Sequence, residues 1–190
     1  MARYIFFVIF IFFYSNVLKA DSRIELISKL IIKFNNIENF QFNFIQKNKN
    51  LIETGNCFIK YPKKLICRYD GKEGKEIVIR NKTLAIVKRT YEKVYFYRIS
   101  NSVFNILLDK KKIISKIKKL KKIKKVKNFY LIVFENKNSS KLKLYLDIKT
   151  LNIAGWETSG FDQQKTAFKI LNIKINTDIK EKFEIPDFNN

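Results

Sequence analysis

The chain has no histidine in 190 residues. It therefore lacks the one side chain whose ordinary pKa lies near neutrality, and with it the commonest metal ligand. Its two cysteines, Cys57 and Cys67, do not form a Cys-x-x-Cys redox pair. Its five glycines spell neither a dinucleotide-binding fingerprint nor a phosphate-binding loop. Acidic residues are few and scattered, 17 against 39 lysines and arginines, so a paired-carboxylate mechanism has no seat. A hydroxyl nucleophile would find no imidazole to activate it. These absences lead to the expectation of a non-enzymatic protein with no cofactor and no metal.

There is also no apolar run of the ~20 residues that a spanning helix needs. The run Tyr4 to Tyr14 follows Arg3 and precedes Leu18-Lys19-Ala20. A basic start, a short apolar stretch and a small residue read as a secretory signal peptide over residues 1–20, cut after Ala20. The alternative is an uncleaved anchor helix. Either way residues 21–190, one domain's worth of chain, are expected to work outside the cytoplasm.

What is abundant is positive charge and aromatic carbon. The formal net charge is +22, and there are 18 phenylalanines and nine tyrosines. Such a charge favours anionic partners, although abundant Lys, Ile, Asn and Phe is also what AT-rich coding produces. No nucleic-acid module is visible, and export argues against that partner. The densest stretch is Lys111–Lys127, where Ile114, Ile117, Leu120, Ile123 and Val126 recur every third position among lysines. It reads as a short basic helix running into a strand near Lys124. Its charges form either a solvated face or a collar for acidic partners or anionic head groups.

Ser22-Arg23-Ile24-Glu25 has the form of a capping box, and Ile24, Ile27, Leu30, Ile31 and Phe34 follow at helical spacing. These predict an amphipathic helix over Ser22–Phe34. The period then switches to two. Phe40, Phe42 and Phe44 share one face, as do Cys57, Ile59 and Tyr61, then Leu65, Cys67 and Tyr69. Pro62-Lys63 and Asp70-Gly71 mark turns. Further strands are expected at 76–80, 84–88, 93–98, 129–134, 141–146, 151–158 and 165–175, with a helix within 101–109. Nine to ten strands and two or three helices without βαβ spacing argue a mainly β, antiparallel α+β fold.

Two questions stay open at this stage. An odd-length loop after β-residue 60 would set Cys57 opposite Cys67 and permit a disulfide, whereas a two-residue Pro62-Lys63 loop would pair Cys57 with Arg68 and separate the thiols. The apolar strand faces also outnumber what two or three helices can cover. Either the sheet curls around a greasy hollow under a helical lid, or its side chains fill an ordinary core.

The order of motifs carries a resemblance. An amphipathic helix is followed by Asn39-Phe40-Gln41-Phe42-Asn43-Phe44-Ile45-Gln46, and then by Gly55-x-x-x-x-Lys60-Tyr61-Pro62-x-x-Leu65 and a strand to Tyr69. A helix ending Leu107-Leu108 sits mid-chain, and Phe183-x-Ile185-Pro186 lies near the end. This pattern resembles the LolA family of periplasmic outer-membrane lipoprotein carriers, of the alphaproteobacterial type. The resemblance implies a strongly curved, incomplete antiparallel β-barrel whose helices cover its mouth. It also implies a monomeric, periplasmic carrier of acylated lipoproteins, loaded by an inner-membrane lipoprotein-releasing ABC transporter and unloaded at an outer-membrane lipoprotein receptor. The family commonly has Arg-Pro where this chain has Tyr61-Pro62, and that arginine is thought to latch the lid. A phenol offers one donor in place of a guanidinium fork.

On that basis Phe42, Phe44, Ile59, Tyr61, Leu65, Tyr69, Ile79, Ile86, Phe96 and Trp156 are expected to line the acyl-chain site. Ile27, Leu30, Ile31, Phe34, Leu107 and Leu108 are expected on the lid. The rival readings are a lipoprotein receptor or stress sensor of the same architecture, a basic anionic-lipid-binding protein, and a secreted hydrolase. The receptor is normally lipid-anchored through a cysteine after the signal, where this chain has Asp21.

Overall fold

Alternation of apolar and polar residues is what a strand needs to bury one face, and it organises most of this chain. The computed structural model describes residues 23–102, 104–135, 141–159 and 165–188. The expected signal peptide, Ser22 and Asp21 lie outside the described residues. A first helix, α1, covers 23–36. Six strands follow: β1 (Asn39–Asn48), β2 (Leu51–Lys60), β3 (Lys64–Tyr69), β4 (Lys75–Arg80), β5 (Thr83–Lys88) and β6 (Lys93–Arg98). Two short helices, α2 (Phe104–Leu107) and α3 (Lys110–Lys118), interrupt the strands. The chain then adds β7 (Lys124–Val126), β8 (Phe129–Glu135), β9 (Lys141–Asp147), β10 (Ile153–Ser159) and β11 (Lys165–Ile175).

All eleven strands join one antiparallel sheet in the order β6-β5-β4-β3-β2-β1-β11-β10-β9-β8-β7. The chain therefore runs outward from β1 to one edge, crosses through the helices, and returns from the other edge to β11 beside β1. The sheet does not close: β6 and β7 are its two edges. It is the incomplete barrel expected, and the lysine-rich segment ends, as expected near Lys124, in the three-residue strand β7.

The inner face carries a single large core that unites the sheet with the helices. From α1, Leu30 and Phe34 are buried in it, with Leu26, Ile27 and Ile31 packed alongside. Ile24, expected on that stripe, is exposed, as is Ile32. The other four residues of the stripe face inward as expected, and Leu26 joins them. Glu25 pairs with Lys29 one turn on, at 2.6 Å, while the expected capping box involves Ser22 and lies outside the described residues.

Strands β3 to β5 are apolar on both faces. Ile66, Val78, Ala85 and Val87 point outward and are buried nonetheless. Residues 176–188 cover them as an irregular strap, burying Phe183 and packing Ile179, Ile185 and Phe188 on the outer face. Arg68 fastens the strap through two hydrogen bonds to Glu181, at 3.0 and 2.7 Å. Its guanidinium holds the Glu181 carboxyl below the usual carboxylate range. The buried Glu76 in turn accepts from Arg68 and Arg89, so its charge is paired from both sides.

Candidate functional site

The inner wall is built in rows. Cross-strand register sets Phe42 opposite Cys57, Cys57 opposite Cys67, Cys67 opposite Ile77 and Ile77 opposite Ile86. A parallel row runs Phe40, Ile59, Leu65, Ile79 and Leu84. The β2–β3 turn, Tyr61-Pro62-Lys63, has three residues, because Lys60 pairs with Lys64. This odd length answers the cysteine question: Cys57 and Cys67 face each other and form a disulfide. Gly55 continues the wall beneath the Phe44 ring. A Cβ there would run into that ring and into the Arg68 carbonyl across the ladder, so only glycine lets ring and strand approach so closely.

The aromatics form a continuous ladder across both halves of the sheet. Trp156 stacks on Phe168 at 4.4 Å between centroids, and Phe168 stacks on Phe44 at 4.5 Å. Phe42 meets Trp156 edge-on at 6.2 Å, Phe40 lies 5.7 Å from Phe42, and Tyr61 lies 6.2 Å from Phe40. At the far end Tyr69 meets Phe44 edge-on at 4.9 Å. Its hydroxyl donates to Gln46 at 2.8 Å, and Lys75 sits over its ring at 4.0 Å. The ladder thus begins and ends on tyrosines whose polar tips find partners, as buried phenols require.

The lid rests on this wall. Leu107 and Leu108 are buried, and so are Ile113 and Ile117 one turn apart on α3. Phe104 of α2 meets Trp156 edge-on at 6.3 Å. Polar attachments gather at the β2–β3 turn. The Tyr61 hydroxyl donates to the Leu107 carbonyl at 3.0 Å, and the Lys63 amide donates to the Leu108 carbonyl at 3.0 Å. Lys63 Nζ lies 3.6 Å from the Asp109 carboxylate, which also caps α3 by accepting from the Lys112 amide. Lys110 donates to the Asn35 carbonyl, tying α3 to the end of α1, and stands 5.4 Å over the Tyr61 ring. Burial pushes the Tyr61 phenol above the usual tyrosine range. Tyr61 therefore makes a single hydroxyl contact to the helices, at the position where the resemblance leads to the expectation of an arginine.

Nine of the ten expected wall residues share this inner face: Phe42, Phe44, Ile59, Tyr61, Leu65, Tyr69, Ile79, Ile86 and Trp156. Phe96 does not. It pairs with Ala85, on the outer face, and is 64% exposed. In Lys93–Arg98 the four central residues are all apolar or aromatic, so alternation could not choose a face; Tyr95 and Tyr97 take the inner one. All six expected lid residues pack in the same core. Sequence reasoning missed the far half of the wall, namely Ile132, Phe134, Leu142, Leu144, Leu146, Phe168 and Ile170. Their period-two spacing was visible in the sequence.

The concavity is occupied by the helices' own side chains. Of the cavities lined by described residues, one of about 380 Å³ lies between α1, at Lys29, Ile32 and Lys33, and the end of β11, at Ile175; another of about 290 Å³ opens on the outer side of β10 and β11 near Gly155. Among those residues, no group of three or more Cys, Asp or Glu side chains gathers to hold a metal.

An open antiparallel sheet wrapped around a helical lid, with an aromatic inner wall, defines the class of half-barrel proteins. The family profile described as outer membrane lipoprotein carrier protein LolA matches residues 35–185. The chain belongs to the LolA family. Among solved structures, a putative outer membrane lipoprotein-sorting protein domain from Vibrio parahaemolyticus is 10% identical with a TM-score of 0.48, over 82% of this chain and 93% of that one. A LolA superfamily protein from Nitrosomonas europaea is 8% identical with a TM-score of 0.41, over 79% and 93%. MucB of Pseudomonas aeruginosa, in its complex with MucA, is 9% identical with a TM-score of 0.47, over 88% of this chain and 61% of that one. No curated protein gives a significant match.

Proposed function

We propose that this protein is a periplasmic carrier that shelters lipoprotein acyl chains against the aromatic inner wall while the lid stands open. It takes them from an inner-membrane lipoprotein-releasing ABC transporter and surrenders them to a receptor at the outer membrane. The observation that carries this reading is a continuous apolar wall covered by helices, with attachments of α2 and α3 gathered at one turn. A permanent core needs no such removable cover.

Magnitudes fit the task. A buried methylene is worth about 0.8 kcal/mol, so one ~16-carbon chain approaches 12 kcal/mol. The fully or nearly buried lid residues Leu30, Phe34, Leu107, Leu108, Ile113 and Ile117 contribute about 1.5–3 kcal/mol each. Lid and a single acyl chain are therefore matched in order of magnitude. Several chains outcompete the lid, and the lid in turn helps to expel them at delivery. Because the closed form must first open, the apparent affinity is lowered by the closed fraction.

The test is a release assay. With the transporter and ATP, the mature protein should strip a diacylated or triacylated lipoprotein from inner-membrane vesicles into solution. A lipoprotein that stays membrane-bound, alongside no uptake of a fluorescent long-chain lipid, would refute the carrier reading.

A further inference from the structure

Residues 110–134 hold eleven lysines and no carboxylate. Eight of them, Lys111, Lys118, Lys119, Lys121, Lys122, Lys124, Lys125 and Lys127, are exposed. Among the described residues none of these eight forms an ion pair. They form a collar on the outer side of α3 and along the edge strand β7. The opposite side of the same segment is apolar. Ile113 and Ile117 are buried on the wall, and Ile114, Leu120 and Ile123 pack against its core.

Charge alone does not explain a role in gating. The lysines are exposed with the lid shut, so a soluble polyanion would meet them equally in both states and shift nothing. An anionic lipid surface differs. Against a closed lid it finds only lysines. Against an open one it also receives the isoleucine stripe into its acyl boundary, as an interfacial amphipathic helix does. The apolar stripe then exchanges one oily partner for another, which offsets the cost of leaving the wall, while the lysines hold the segment at the surface in both states.

We propose that α3 and the lysine segment after it act as a membrane-sensing gate: a phosphatidylglycerol-type leaflet draws the collar down, takes the isoleucine stripe off the wall, and opens the lid where cargo is loaded. The inference rests on the reading of the inner wall as an acyl-binding site. Away from a membrane the lid returns to the wall, so the empty carrier crosses the aqueous gap closed.

The sole tryptophan, Trp156, reports on the gate, because it is buried beneath Phe104 of α2. The chain beginning at Asp21 is mixed with vesicles of pure phosphatidylcholine, or of equal parts phosphatidylcholine and phosphatidylglycerol. Sedimentation and Trp156 emission are then read together. The expected result is binding to the anionic vesicles alone, reversed by salt, with a red shift of Trp156. The joint variant Lys118→Gln, Lys119→Gln, Lys121→Gln and Lys122→Gln should keep the wild-type circular dichroism spectrum and bind at least about a hundredfold more weakly. Equal binding by the variant or to neutral vesicles overturns the proposal. So does binding with Trp156 unmoved, or an equal red shift with soluble polyglutamate, which would assign the collar to an acidic protein. A lipid-driven red shift without uptake of an acyl probe keeps the gate and removes the carrier reading. Acyl uptake in solution without vesicle binding does the reverse.

Discussion

Tyr61 is where wall, turn and lid meet. Its ring extends the aromatic ladder, and its hydroxyl donates to the Leu107 carbonyl. Tyr61→Phe keeps the ring and leaves that carbonyl without its donor, at a cost of about 1 kcal/mol. The open fraction should rise about fivefold, and the apparent affinity for a fluorescent acyl probe with it. An unchanged titration would mean that the hydroxyl is no latch. The same phenol gives a pH signature. Its folded pKa lies above the ordinary value of about 10, so its contribution to stability is complete below that value and is lost as the pH climbs through the raised one. Thermal melts of wild type and Tyr61→Phe should therefore converge under strongly alkaline conditions. Tyr69 and Tyr145 also resist ionisation, and the difference between the two proteins cancels their share.

Among the elements, the β2–β3 hairpin bears most on the site. Its three-residue turn carries the Tyr61 contact to Leu107, its register joins Cys57 to Cys67, and Gly55 makes room for Phe44. Replacing both cysteines by alanine should lower stability by about 2–4 kcal/mol in denaturant unfolding, with the loss matched by wild type under reductant after full unfolding. This hairpin was largely readable from the residues. Alternation fixed which side chains share a face, and only the loop length was open. Strand β6 was not readable, because Val94, Tyr95, Phe96 and Tyr97 offer no polar phase marker. The outer strap was not readable either. Outward Ile66 and Val78 imply a cover, yet nothing local says that residues 176–188 supply it. The lid was legible in part: Leu107, Leu108 and Ile117 stand in an apolar rhythm, and the short basic helix and the strand near Lys124 are both present, but period three passed over Ile113, which is buried beside Ile117.

At the scale of the whole molecule, the sheet grips its helices as it would grip cargo. On the proposed carrier reading, lid and acyl chain compete for this one surface, so the number of chains on a ligand decides the outcome. A single-chain fatty acid should bind weakly, close to break-even with the lid, whereas a diacyl or triacyl lipopeptide should displace it. Calorimetric titration with the series would show affinity rising steeply at the second chain; a shallow rise would mean that the lid is not displaced. The sulfur bridge belongs to this same closed interior, with Cys57 and Cys67 at 0% and 2% exposure behind the helices. An oxidant can reach those thiols only while the mouth gapes, so the bridge is a record of opening: every molecule that carries it has had its interior reached from outside at least once, before the helices first settled or when they later lifted.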